Sequence, residues 1–195
     1  MQTVAIEGKL RSEFGKKASK ATRREGLVPC VAYGKDKVIH FSAPPKAFKS
    51  LIYTPDFKVA ELNIEGETYR AIVKDSQFHP VTDQLLHMDF LLLIKGQSIV
   101  TQVPVRTRGV APGVKLGGKL MQTTRRLKIK TTPENLVDHL TVDISTIGLG
   151  KSVRVRDVEA VEGIQIMTSP GIPLVAVEIP RALRSAQTAA AKEEE

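Results

Sequence analysis

The stretch GKKASKATRREGLVPCVAYG, residues 15–34, decides how the rest of the chain reads. A glycine opens it, a segment dense in Lys and Arg follows, Gly26 interrupts, and an apolar run closes on Tyr33 and Gly34. The spacing predicts a helix over Lys16–Glu25. At 100° per residue Lys16, Lys20, Arg23 and Arg24 fall on one face, with Lys17 at its edge. The opposite face carries Ala18, Ala21, Thr22 and Glu25 and is predicted to lie against a sheet. Gly26 takes the position past the helix end, where positive φ costs least. Lys16 and Lys20, and again Lys20 and Arg24, stand four residues apart, a spacing at which like charges oppose the helix. A phosphate backbone would relieve that repulsion. A helix face that is merely solvated usually interleaves acids four residues away, and the one acid here, Glu25, is on the other side.

Working outward, Thr3–Arg11 alternates loosely as a strand and Leu27–Tyr33 forms the strand after the helix. Arg11 and Tyr33 then flank the basic helix with a guanidinium and an aromatic ring suited to stacking or sugar contact. Lys35-Asp36-Lys37 turns the chain into Val38–Phe41. Pro44-Pro45 opens a predicted helix through Tyr53, since proline is tolerated at a helix start. Val59–Ile64, the turn Glu65-Gly66-Glu67 and Thr68–Val73 make a β-hairpin. Lys74–Gln84 reads as a polar connection, and Leu85–Leu93 as another strand. The fold class is mainly β with short helices: a six-stranded β-barrel with two helices over residues 1–95. A β-rich second domain over 96–180 and a flexible tail over 181–195 follow.

In the second domain the strand candidates are Ile99–Thr107, Leu120–Thr131, Leu140–Ile144, Val153–Val158, Gly163–Met167 and Pro173–Ile179. GVAPGVKLGG, residues 109–118, reads as a mobile loop because it holds four glycines and a proline. Pro133–Val137 reads as a short helix. Cations recur there two residues apart, at Arg106/Arg108, Arg126/Lys128/Lys130 and Arg154/Arg156. That is the pattern of strands with one wet face, open also to a second nucleic-acid or protein contact.

The 195 residues carry a formal net charge of +8, and the pI is about 9.6. This balance favours an acidic partner, nucleic acid before anionic membrane. Residues 1–95 hold 15 basic and 11 acidic side chains, residues 96–180 hold 11 and 7, so the excess is not one basic tail. The single cysteine, Cys30, excludes an internal disulfide and a Cys-based zinc site, and its apolar strand predicts a buried, inert thiol. The start MQTVAIEGKL lacks a charged leader followed by an apolar core, and Leu85–Ile94 is too short to span a bilayer, so a cytoplasmic protein is expected.

His87 and Asp89 lie two apart on a strand and share a face while Leu86, Met88 and Phe90 point the other way. Such a pair suits a surface polar cluster or a contact in which His87 donates and Asp89 fixes its tautomer or accepts from a base edge. His40, His79, His87 and His139 show no short ligand spacing, so no metal site is expected. No GxSxG, P-loop, GxGxxG or HExxH sequence occurs, so neither an enzyme nor a cofactor is expected. The chain reads as a binder.

With these blocks in order, the sequence resembles the bacterial ribosomal protein L twenty-five family in its longer two-domain CTC (general stress protein) form. The resemblance rests on residues 15–34, on KDSQFHPVTDQLLHMDF (74–90), and on DISTIGLGKSVRVRDVEAVEGIQIMTSP (143–170). It implies an N-terminal barrel that binds 5S ribosomal RNA in the large ribosomal subunit, with neighbouring ribosomal proteins as possible further partners. The family's RNA contacts carry over to Arg11, Lys16, Ser19, Lys20, Arg23, Tyr33, Lys74, Gln77, His87 and Asp89; the charge pattern adds Arg24. Departures stand at Lys20-Ala21, where two arginines are common, at Phe78, where a basic residue is common, and at Cys30, where alanine is usual. A related barrel serves as the anticodon-binding part of glutaminyl-tRNA synthetase, so a tRNA binder is one rival. A stress-induced interaction factor acting through the second domain is the other.

Overall fold

The computed structural model describes residues 1–35, 37–159 and 161–181. They form two compact units: Met1–Thr101 with Thr132–Asp138, and Gln102–Thr131 with the chain from His139 onward. Apart from Arg181, the tail expected from residue 181 lies outside the described residues, as does Asp36 of the turn at Lys35–Lys37.

The first unit runs β1 (Thr3–Leu10), α1 (Lys16–Arg24), β2 (Val28–Tyr33) and β3 (Val38–Ala43). A 3-10 turn at Pro45–Phe48 then leads into α2 (Lys49–Ile52), β4 (Val59–Ile64), β5 (Glu67–Phe78) and β6 (Leu85–Leu92). The six strands close into a barrel in the order β1-β3-β2-β6-β5-β4. β1 runs parallel to β4 and β2 parallel to β6, while the remaining neighbours are antiparallel. Period-two alternation fills the interior: Ile6, Cys30, Phe41, Leu62, Met88 and Phe90 are all fully buried or nearly so. Phe48, delivered by the turn after Pro44-Pro45, joins them, its ring centroid 6.0 Å from that of Phe90, which is 5.8 Å from Phe41. Burying each such ring contributes about 1.5–3 kcal/mol. At Gly8 a Cβ would lie 2.6 Å from Phe41 Cδ2, so the barrel closes only over a residue without one. The β4–β5 turn holds Glu65 and Gly66 at φ 49° and 87°, the two positive values of a type I′ turn.

The helix expected from Pro44-Pro45 through Tyr53 is a 3-10 turn followed by a single four-residue α-turn. The extent of β5 also differs from expectation. β5 does not stop at Val73 but continues to Phe78, across a bulge between Val73 and Asp75. Before the bulge Val73 faces Phe90; after it Asp75 faces Asp89 and Gln77 faces His87. The extra residue, Lys74, reverses which side chains point outward, so Asp75 and Gln77 leave the barrel on the side of Asp89 and His87.

The second unit holds β7 (Ile99–Arg108, starting in the first unit), α3 (Pro112–Lys115), β8 (Lys119–Gln122), β9 (Arg126–Thr131), β10 (Leu140–Asp143), β11 (Ser152–Arg154), β12 (Ile164–Ile166) and β13 (Pro173–Glu178). They make a four-stranded sheet, β10-β7-β9-β12, and a three-stranded sheet, β11-β13-β8. Val103, Val105, Leu127, Ile129, Val142, Leu174 and Val175 are among its buried residues. The expected strand Leu120–Thr131 is two strands in different sheets, because the amides of Thr123 and Thr124 both donate to Leu174 O (2.9 and 3.2 Å) and the chain leaves one sheet there. Val153–Val158 likewise breaks, into β11 and a 3-10 turn at Val155–Asp157 in which the Asp157 carboxylate accepts from the Arg154 amide at 2.9 Å. GVAPGVKLGG is packed structure rather than a free loop. It contains α3, Gly113 N–H donates to Ile147 O at 3.0 Å, and a Cβ at Gly118 would lie 2.5 Å from Val177 Cγ1. Pro133–Val137 gives only a 3-10 turn at Pro133–Asn135.

Candidate nucleic-acid interface

The site is assembled on the wall β1-β3-β2-β6-β5, with Arg11 just past the end of β1, and on α1. Helix α1 begins after Gly15, whose φ of 93° needs glycine, and ends in a full C-cap. Leu27 N–H donates to Thr22 O and Gly26 N–H to Arg23 O, both 3.1 Å, with Gly26 at φ 79°. Ala18, Ser19 and Thr22 are half-buried, while Ala21 and Glu25 are exposed. The face expected to pack is therefore narrower than predicted and shifted towards Ser19. Lys16, Lys17, Lys20, Arg23 and Arg24 are all exposed. Among the described residues no carboxylate lies within ion-pair distance of any of the five. Arg23 and Arg24 stand in the last turn, where the helix C-terminus favours positive charge.

Two hydrogen bonds hold this helix. Arg23 Nε donates to Leu86 O on β6 at 3.0 Å, and Arg11, whose amide bonds His40 O at 2.9 Å, reaches Ser19 Oγ with Nη2 at 3.5 Å. The Arg23 bond sets the guanidinium at the residue next to His87. On β6 the His87 Nδ1 donates to Asp89 Oδ1 at 2.6 Å, which leaves Nε2 as the ring nitrogen open to a partner. Gln77 lies opposite His87 and Asp75 opposite Asp89, both exposed. Val31 and Tyr33 on β2 face Asp89 and Leu91. Burial first, then the carboxylates of Asp89 and Asp75, raise the Tyr33 phenol above its ordinary range, so it remains a donor.

Arg11, Ser19, Arg23, Tyr33, Gln77, His87 and Asp89 are thus carried on one wall and its helix, with Lys16, Lys20 and Arg24 on the same helix. Lys74, exposed at the bulge, donates one Nζ hydrogen bond to Val100 O at 3.3 Å. Asp75 escaped the sequence reading, because only the bulge brings it opposite Asp89. Cys30 is buried at the inner side of this wall, and desolvation pushes its thiol well above the usual range. Among the described residues no group of three or more His, Cys, Asp or Glu is placed to hold a metal ion. None of their helices is long and apolar enough to cross a membrane. Chemically the wall offers backbone-neutralising cations on one side and a donor–acceptor set, Gln77, His87 and Asp89, on the other.

The profile of the Ribosomal L25p family matches residues 6–90, and that of the ribosomal protein TL5 C-terminal domain matches residues 98–181. Large ribosomal subunit protein bL25 of Phocaeicola vulgatus is 40% identical over 98% of this chain and 100% of its own length. The chain belongs to the ribosomal L25p family. The bL25 proteins of Parabacteroides distasonis (43% identical, 96% of this chain and 98% of the relative) and Cytophaga hutchinsonii (41%, 98% and 100%) match over the same extent. The L25p match runs from within β1 to within β6 and includes α1, His87 and Asp89, and the TL5 match begins one residue before β7.

Proposed function

We propose that this chain is a structural constituent of the large subunit of the cytoplasmic ribosome and that its barrel binds 5S ribosomal RNA. The large-subunit role is supported by relatives bearing that name over essentially the whole chain. The observation that carries the RNA-binding surface is the pairing of α1 cations that have no internal carboxylate with the His87–Asp89 dyad. Arg23 Nε on Leu86 O ties the two together.

The mechanism is recognition without bond-making. Lys16, Lys20 and Arg24 neutralise phosphates and release counterions, and about three such contacts give a salt slope near −3. A regular A-form groove hides its base edges from side chains, so selectivity requires a widened internal loop, which Gln77, His87 Nε2 and Asp89 meet as donors and acceptors. Tyr33, kept protonated, adds a hydroxyl donor and a ring beside them. Filter binding across a salt series tests this. Lys20→Ala weakens every RNA tested, whereas His87→Ala narrows the gap between 5S RNA and a fully paired control. Unchanged affinity in both variants removes the surface. Competition by tRNA equal to that of 5S RNA favours a tRNA binder instead.

A further inference from the structure

The cations of the second unit form a surface that the 5S reading does not use. Along β9 the exposed Arg126, Lys128 and Lys130 alternate with the buried Leu127, Ile129 and Thr131. On β7, beside it, the register against β10 sets Arg106 opposite Thr141 and Arg108 opposite Asp143, while the buried Val105 faces the buried Leu140. On the other side Gln165 of β12 faces Lys130. The outer face of this sheet therefore gathers five cations. The one carboxylate that the paired registers put there, Asp143, is on the edge strand and is already bonded by the Ser145 amide at 2.8 Å. Among the described residues no carboxylate lies within ion-pair distance of Arg126, Lys128 or Lys130. Alternate residues of a strand stand about 6.6 Å apart, so the three present a row of positive charge of phosphate-backbone pitch.

We propose that this sheet face is a second RNA contact, made to the phosphates of double-stranded RNA without reading bases. Three features select that ligand. The row is cationic with no acid interleaved, so a polyanion completes it. All six phenylalanines and three tyrosines of the chain lie within residues 1–90, so the second unit has no ring on which to stack a splayed base; single-strand binders depend on such rings. The face also lacks the aromatic anchors that mark protein interfaces. A duplex, recognised by backbone position and shape, needs neither rings nor anchors.

The test uses the full chain carrying Lys16→Gln, Lys20→Gln and Arg24→Gln, so that the barrel surface is silenced, and compares it with the same chain also carrying Arg126→Gln, Lys128→Gln and Lys130→Gln. The probes are two 20-base-pair RNA duplexes of unrelated sequence and one unpaired strand, followed by fluorescence anisotropy over a salt series. Removing three phosphate contacts lowers the slope of log affinity against log salt by about 2.7, so the unsubstituted sheet loses about 40-fold more affinity between 50 and 200 mM salt. Both duplexes behave alike, and the unpaired strand binds more weakly. Lys128→Arg with Lys130→Arg keeps the slope. Should the triple change unfold the sheet, Arg126→Gln alone lowers it by about 0.9. An unchanged slope in folded variants overturns the proposal. So does loss of large-subunit co-sedimentation with duplex affinity intact, which would assign the face to a protein partner. Neither result bears on 5S binding by the barrel.

Discussion

Replacing Lys16, Lys20 and Arg24 of α1 with glutamine should stabilise the fold and weaken RNA binding at once. Each of the three is exposed and has no carboxylate within ion-pair distance among the described residues, so their removal breaks no internal bond. Glutamine has nearly the helix propensity of Lys and Arg, so the backbone cost is close to nil. What disappears from the free protein is two like-charge pairs four residues apart, each unfavourable by about 0.2–0.5 kcal/mol, while the losses and gains against the helix dipole, Arg24 at its C-terminus and Lys16 at its N-terminus, have opposite signs and offset. The variant should therefore be more stable by about 0.4–1 kcal/mol at low salt, a gain that shrinks as salt screens the repulsion. Arg23 is left in place because its bond to Leu86 O anchors the helix. Against 5S RNA the loss of three phosphate contacts lowers the salt slope by about 2.7. Urea unfolding and filter binding, each at several salt concentrations, read the two effects. A variant that is less stable, or that keeps the wild-type slope, refutes the argument that these charges await an external anion.

Gly8→Ala should cost about 1–3 kcal/mol in denaturant unfolding, because its Cβ would press on Phe41 Cδ2 in a filled core. A cost near zero would show that the barrel relaxes there. The Tyr33 phenol should titrate above free tyrosine, read as phenolate absorbance against a Tyr33→Phe control, and Asp89→Asn should bring it down. The sign follows: a raised phenol pKa contributes stability that is present below the ordinary value of about 10 and lost as pH rises past it. Cys30, buried and held protonated, should react with a thiol reagent only at the rate of unfolding, whereas rapid labelling would contradict its place in the core.

Much of the barrel was legible in the sequence because its signals are local. Alternation marked β1 to β4 and β6, Gly26 marked the end of α1, and Glu65-Gly66 marked the hairpin. What escaped was set by distant contacts. The bulge at Lys74 has no local signature, yet it turns Gln77 and Asp75 towards His87 and Asp89; an unbroken register would have put Lys74 opposite Asp89. Leu120–Thr131 looked like one strand because propensity runs through Thr123 and Thr124, whose shared bond to Leu174 O moves the chain between sheets. The glycines of GVAPGVKLGG suggested freedom, whereas Gly113 and Gly118 are buried because the backbone around them is crowded. Of the candidate site, the residue types and the shared face of His87 and Asp89 were readable. The hydrogen bonds from Arg23 to Leu86 O and from Lys74 to Val100 O were not, since both depend on distant parts of the chain.

The central claim, that the α1 cations meet 5S RNA, is tested most directly by lysine acetylation footprinting of the full chain, free and bound to that RNA. The account predicts that Lys16, Lys17 and Lys20 become protected while Lys46 and Lys49, on the turn and helix after β3, label as before. Equal labelling of Lys16 and Lys20 in the bound and free protein would contradict it.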